Sequence, residues 1–247
     1  MPRYDGILLD LFGTLVLAEP ERLPALRIGT TTVRTTLGAL ADLLAVYAPG
    51  VGAGTFWHAL AGVNEEMIQR RQREHVEEPA RERFRRALAR VGCDAEACRE
   101  GGAALARAHH RALTEATVLP PAHAALVDEL RARYRLAVVS NFDDTAAVFE
   151  IMHRHGMLAK VHAIVVSESL GLRKPHPLMV QTALRMLEVS ASAALLVGDT
   201  FGEDVEAAHA AGVDAAWLDR EARNLPPGAT PPRFILRALL ELRDVLG

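Results

Sequence analysis

The chain has 247 residues, half of them hydrophobic, with a formal net charge of −3 and a pI near 6.4. This length and apolar fraction support a sizeable core, in one large domain or two smaller ones. The near-neutral balance argues against a nucleic-acid binder and against electrostatic attachment to an acidic membrane.

The first element is the apolar run Ile7-Leu8-Leu9-Asp10-Leu11-Phe12-Gly13-Thr14-Leu15. It predicts a strand over 6–12, buried on both faces and carrying Asp10 at its end. The run is short and contains an acid, so it does not read as a secretory leader. No apolar stretch reaches about 18 residues, the length of a membrane span. The expectation is a cytoplasmic protein without membrane contact.

Past residue 17 the pattern changes. Ala25–Ile28 and Thr31–Arg34 flank Gly29-Thr30 and predict a small hairpin. From about 37 to 117 the apolar residues recur at helical spacing: Leu37, Leu40, Leu43 and Leu44, then Phe56, Leu60, Val63 and Met67, then Phe84 and Leu88. Pro49-Gly50, Pro79 and Gly92 divide this region into about four helices. Arg70–Arg73 and Arg81–Arg86 are interleaved with glutamates and predict solvated helix faces. Cys93 and Cys98 fit neither a zinc pattern nor a disulfide framework, and read as plain thiols on one helix. His58, His75, His109 and His110 read as surface histidines, available as proton donors.

After Pro120-Pro121 short apolar strands alternate with helices of ten to thirteen residues. Strands are predicted at 136–141, 163–167, 194–199 and 213–218, with helices at 122–133, 143–155, 177–188 and 203–211. A closing helix is expected over 234–246. This alternation implies a parallel sheet with helices on both faces. The domain plan is therefore an α/β core from residues 1–16 and 118–247, with a helical cap inserted at 17–117. An insertion rooted beside Asp10 is placed to act as a lid.

The polar residues gather at strand ends. Asp10 and Thr14 follow the first strand, Ser140-Asn141 end the second, Lys174 follows the third, and Gly198-Asp199 end the fourth with Asp204 beyond. In a parallel sheet these ends share the edge where ligands bind. Carboxylates gathered there repel unless a cation joins them. Asp10, Asp199 and Asp204 are hard oxygen donors suited to Mg²⁺. Lys174 adds a fixed positive charge, and Thr14 or Ser140 can bind phosphate oxygens.

This arrangement resembles the haloacid dehalogenase superfamily, on Asp10–Leu15, Ser140-Asn141, Lys174–Pro177 and Gly198–Asp204. The resemblance implies a Rossmann-like core with a helical cap after the first motif. It implies Asp10 as the nucleophile of a covalent aspartyl intermediate, with Thr14 and Ser140 binding the transferring group and Asn141 among the catalytic residues. Lys174 would steady nucleophile and intermediate. Asp10, Asp199, Asp204 and the backbone carbonyl of Phe12 would surround Mg²⁺. The substrate would be a small anion, a phosphorylated metabolite or a haloacid.

Phe12 departs from the phosphatase pattern. Phosphatases of this family usually carry a second aspartate at that position, as general acid and base. Three readings follow. The chain is a Mg²⁺-dependent phosphatase-like hydrolase with a good leaving group or a borrowed acid. Alternatively it is a 2-haloacid dehalogenase, whose relatives carry an aromatic there and use no magnesium. The third is a non-catalytic relative that binds a phospho-ligand or a protein. The acidic fourth motif favours the first.

Overall fold

A computed structural model describes residues 4–28 and 30–247. They form two units, one from residues up to 17 with 118–142 and 152–247, the other from 18–117 with 143–151. Gly29, expected in the hairpin turn, lies outside the described residues.

The first unit opens with β1 (Gly6–Leu9), every residue of which is buried. The chain leaves through β2 (Leu17–Ala18). In the second unit β3 (Ala25–Ile28) and β4 (Thr31–Arg34) pair antiparallel, with Leu26 opposite Val33. Four helices follow: α1 (Ala41–Tyr47), α2 (Ala53–Glu74), α3 (Ala80–Arg90) and α4 (Ala95–Glu115). Phe56, Leu60, Val63 and Met67 recur at helical spacing, so α2 contributes one stripe to a core that also holds Phe84 and Leu88 of α3 and Leu105 of α4. Close approach of α3 and α4 requires Gly102, where an added Cβ would sit 3.0 Å from the Arg81 carbonyl oxygen.

Two expectations for this unit are corrected. Cys93 is not on a helix with Cys98, because Asp94 ends the turn by capping α4 and accepting from the Ala97 N–H at 2.8 Å. The arginine-rich segments are not wholly solvated. Arg70, Arg85 and Arg86 pair with the half-buried Glu78 and Glu82, and Arg71 and Arg83 turn inward toward Asp143.

The chain returns through β5 (Thr117–Val118), which pairs with β2. Then come α5 (Pro121–Arg131), β6 (Arg135–Ser140), α6 (Thr145–Arg154), β7 (Ala163–Val166), α7 (Ser167–Leu170), α8 (Leu178–Leu187) and β8 (Ala194–Gly198). After these, α9 (Glu206–Ala210), β9 (Asp214–Leu218), β10 (Phe234–Leu236) and α10 (Leu242–Leu246) complete the fold. The main sheet is parallel, in the order β10-β9-β8-β1-β6-β7. β1 lies between β6 and β8, a switch point whose carboxyl edge forms the crevice of an open α/β sheet.

The expected closing helix starts later than its pattern suggests. Phe234-Ile235-Leu236 instead add a sixth strand beside β9, leaving a short α10 whose Leu242 and Leu246 are buried. An aromatic and a β-branched residue in sequence after two prolines favour the extended form. Among the described residues, no helix is long and apolar enough to cross a membrane.

Candidate active site

β1 delivers Asp10 by burying Ile7, Leu8 and Leu9, and the Asp10 N–H still donates to the Val197 carbonyl at 2.9 Å. The chain then reverses at Gly13, whose φ is +78°. A side chain there would be strained, and its Cβ would fall 2.5 Å from Asp199 Oδ2. Gly13 thus lets the loop after β1 lie against the loop after β8.

Asp204 arrives differently from the expected regular helix. Residues 201–205 form a wide π-helical turn ahead of α9, and this turn buries Asp204. Its Oδ2 accepts from the Thr200 N–H at 2.9 Å. Only glycine fits opposite it, since a Cβ on Gly198 would come within 2.1 Å of Asp204 Cγ.

Lys174 joins these acids. Its Nζ donates to Asp10 Oδ1 at 2.7 Å, Asp204 Oδ1 at 2.6 Å and the Val139 carbonyl at 2.8 Å. An ammonium has three donors, so all are used. The lysine is 1% exposed, which makes this a fully desolvated ion triad. Its backbone is held by Asn141, whose Oδ1 accepts from the Lys174 N–H at 2.7 Å and whose Nδ2 donates to the Lys174 carbonyl at 3.0 Å. The same Nδ2 also donates to Glu203 at 2.9 Å, and Glu203 in turn pairs with Arg173 at 2.8 Å.

The electrostatics follow from burial. Desolvation pushes the Asp10 carboxyl up to about 7, against the attraction of Lys174 and assisted by Asp204 and Asp199. Asp199 is raised by burial and by Asp204. Burial alone would lower Lys174, but Asp10 and Asp204 outweigh it and raise its pKa. Carboxylate oxygens of Asp10, Asp199 and Asp204 lie within 4.8 Å of one another, and one lysine does not balance three acids. A hard divalent cation fits this donor set. Two buried hydroxyls, Thr14 Oγ1 and Ser140 Oγ, have no hydrogen-bond partner. Such orphaned groups are costly in a native core and suit a ligand that supplies acceptors.

The candidate residues of the strand-end reading therefore lie in one unit. Asp10, Asp199, Asp204 and Lys174 converge, Asn141 fixes the lysine peptide, and Thr14 and Ser140 stand unpartnered. Phe12 offers a ring to this edge, stacked on Phe142 with centroids 4.7 Å apart.

A haloacid dehalogenase-like hydrolase family model matches residues 4–212. The chain belongs to this family. It is 33% identical over 154 residues to a phosphoserine phosphatase of Thermus thermophilus, a match covering 62% of this chain and 60% of that enzyme. The matched region is thus under two thirds of that relative's length. The fold is shared by a 2-haloacid dehalogenase from Pseudomonas syringae, at TM-score 0.75, 21% identity and 98% coverage of both chains. It is also shared by the HAD protein YfnB of Bacillus subtilis, bound to magnesium, at TM-score 0.66, 20% identity and 99% coverage of both.

Several supporting residues escaped the sequence reading. Trp217 Nε1 and Arg223 both donate to the Asp199 carbonyl at 3.1 Å, and Arg220 donates to that of Gly13. Their signal was positional only, since Trp217 lies near the end of the fifth strand and Arg220 and Arg223 follow it. Phe142 carried a better one, as an aromatic directly after Ser140-Asn141. His110 is a correction: it is buried between Asp143 and Asp144 and is no surface histidine. His109 is corrected as well, since its half-buried ring packs edge-on against Phe84 with centroids 5.6 Å apart.

Proposed function

We propose that this hydrolase is a phosphatase-type enzyme acting on a small phosphorylated metabolite through an aspartyl intermediate on Asp10. The observation that carries the reading is the buried cluster of Asp10, Asp199 and Asp204, three acids against one lysine. A nucleophilic carboxylate attacking carbon at a halide centre gains nothing from two further buried acids. An anionic phosphoryl group does gain from the cation they attract. When bound, Mg²⁺ held by Asp10, Asp199, Asp204 and the Phe12 carbonyl would offset the charge between nucleophile and phosphate.

In this mechanism Lys174 holds Asp10 Oδ1, which leaves Oδ2 to attack phosphorus. The phosphorus–oxygen bond to the leaving group breaks as the aspartyl phosphate forms. Thr14 and Ser140 hydroxyls donate to the phosphoryl oxygens. Water then attacks the intermediate, releasing phosphate and restoring Asp10. Phe12 cannot transfer a proton, so the favoured substrates have leaving groups that depart unprotonated, such as acyl or aryl phosphates. We further propose that residues 17–117 act as the cap that selects the substrate.

The Phe12–Phe142 stack favours a second reading, 2-haloacid dehalogenation, because halide departs without a proton. One panel separates them: p-nitrophenyl phosphate and short 2-haloacids, each with Mg²⁺ and with chelator, on wild type and Asp10→Asn. The phosphatase reading expects phosphate release that needs both Mg²⁺ and Asp10. Hydrolysis that survives full chelation, or halide release without metal, would overturn it.

A further inference from the structure

The first unit holds a carboxylate that the proposed chemistry does not use, buried more deeply than Asp10 or Asp204. Asp219, directly after β9, is 0% exposed. Its N–H donates to the Leu236 carbonyl at 2.8 Å. Its Oδ1 accepts from Arg223 Nε at 2.9 Å and its Oδ2 from Arg237 Nη1, which also donates to the Asp219 carbonyl at 2.7 Å. A desolvated carboxylate needs such cations to persist. Arg223 does not stop at Asp219. Its Nη2 donates to the Asp199 carbonyl at 3.1 Å, beside Trp217 Nε1 at the same distance. Its guanidinium carbon also lies 5.2 Å from the centre of the Trp217 ring.

Asp199 is the acid of the cluster that needs this support. Lys174 spends its three donors on Asp10, Asp204 and the Val139 carbonyl, so it holds two of the three acids and not Asp199. Asp204 has a further bond from the Thr200 N–H. The direction of the Asp199 carboxylate depends instead on its backbone. Two donors on one carbonyl fix the plane of the peptide that follows Asp199. Arg220 acts on the neighbouring loop in the same way, donating to the carbonyl of Gly13, the residue that leaves room for Asp199 Oδ2. Residues 217–223 thus fasten the loops that follow β1 and β8.

We propose that Arg223, held by the buried Asp219, is a positioning residue for cation binding: with Trp217 it fixes the Asp199 peptide, and so the one carboxylate of the cluster that Lys174 does not hold. The inference rests on the phosphatase reading, in which Asp199 helps to hold Mg²⁺. Two features separate it from a plain charge effect. A guanidinium near a cation site repels the cation, so a purely electrostatic role would make Mg²⁺ bind more tightly once Arg223 is neutralised. Positioning has the opposite sign. The second feature is the fork: Nε serves Asp219 while Nη2 serves Asp199, which the point charge of a lysine does not reproduce. Arg223→Lys therefore keeps the charge and loses the support.

The test is Mg²⁺ binding to the whole chain by isothermal titration calorimetry, with Mg²⁺ as the sole ligand, on wild type, Arg223→Lys and Arg223→Gln. The Arg223 side chain is 47% exposed, so neither replacement opens a cavity. Both variants should bind Mg²⁺ roughly tenfold more weakly, the low end of what the partners of metal ligands contribute. Their melting temperatures in chelating buffer should match that of wild type. In p-nitrophenyl phosphate hydrolysis the loss should fall on the half-saturating Mg²⁺ concentration more than on kcat at saturating Mg²⁺. Unchanged affinity in both variants, tighter binding in Arg223→Gln, or full rescue by Arg223→Lys would overturn the proposal. So would a matching fall in melting temperature, which would make the role structural. If wild type itself binds no Mg²⁺, the phosphatase reading falls and the inference with it. If wild type binds Mg²⁺ but turns over no phosphate ester, that reading falls alone and calorimetry still decides the inference. If hydrolysis needs Mg²⁺ and the variants bind it as wild type does, only the inference falls.

Discussion

Lys174→Met tests the centre of the site most directly. The ammonium is 1% exposed and donates to Asp10, Asp204 and the Val139 carbonyl at 2.6–2.8 Å. Methionine keeps most of the side-chain volume, so the cavity contribution is small. What remains is two buried carboxylates facing each other without their counter-charge, with Asp199 also within reach. Removing one partner of a buried ion pair costs about 3–5 kcal/mol. At about 2–4 °C per kcal/mol for a chain of this size, the melting temperature should fall by about 6–20 °C. Because two units need not unfold together, the measurement should follow the first unit alone. The chain has two tryptophans, and in a Trp57→Phe background Trp217 reports on the core that carries the site. Unfolding is followed by its fluorescence in chelating buffer near neutral pH. Adding Asp204→Asn to the variant should recover part of the loss, since one of the facing charges is then gone. A loss below about 1 kcal/mol, the worth of an exposed surface pair, would refute the desolvated-triad account.

Ser140→Ala removes a buried hydroxyl that has no partner, so stability should stay level or rise slightly, while KM for p-nitrophenyl phosphate rises roughly ten- to a hundredfold. A clear drop in melting temperature would show that the hydroxyl is satisfied in the free protein. Phe12→Asp sacrifices the stack on Phe142, about 0.5–1.5 kcal/mol, but supplies a proton donor. Alkyl phosphate hydrolysis should gain roughly 10²-fold or more relative to p-nitrophenyl phosphate. An unchanged ratio counts against the leaving-group argument. Gly13→Ala places a Cβ at positive φ, 2.5 Å from Asp199 Oδ2, and should cost more than the roughly 1–2 kcal/mol of left-handed strain alone in a denaturant titration. A milder cost would mean the loop after β8 yields freely.

Asp143→Asn carries the pH prediction. Burial would raise the Asp143 carboxyl, but the His110 hydrogen bond and the charges of Arg83, His110 and Arg71 hold it well below the usual carboxylate range. A depressed folded pKa gives stability that is complete above the unfolded value and is lost as pH falls through the folded one. The variant should therefore be about 1–3 kcal/mol less stable than wild type at neutral pH, with the gap closing in acid. A gap that does not vary with pH would remove the charge from the explanation.

Much of the site was legible because its residues sit at fixed places in a simple pattern. An apolar strand that ends in an acid needs no partner to be recognised, and a parallel sheet puts all such ends on one edge. Asp10, Ser140-Asn141, Lys174 and Gly198-Asp199 could therefore be grouped from chain order alone. Phe12 was equally plain, since a side chain without a titratable group cannot transfer a proton. The hidden features depend on direction and burial, not on order. Periodicity does not say which arginine of Arg81–Arg86 turns inward, because a guanidinium reaches either water or a buried acid from the same helix. Nor does it separate His110 from His109, or show that Phe234–Leu236 would extend as a sixth strand beside β9. Tertiary structure decided these, since only there does a buried carboxylate such as Asp143 find the cations that offset its desolvation.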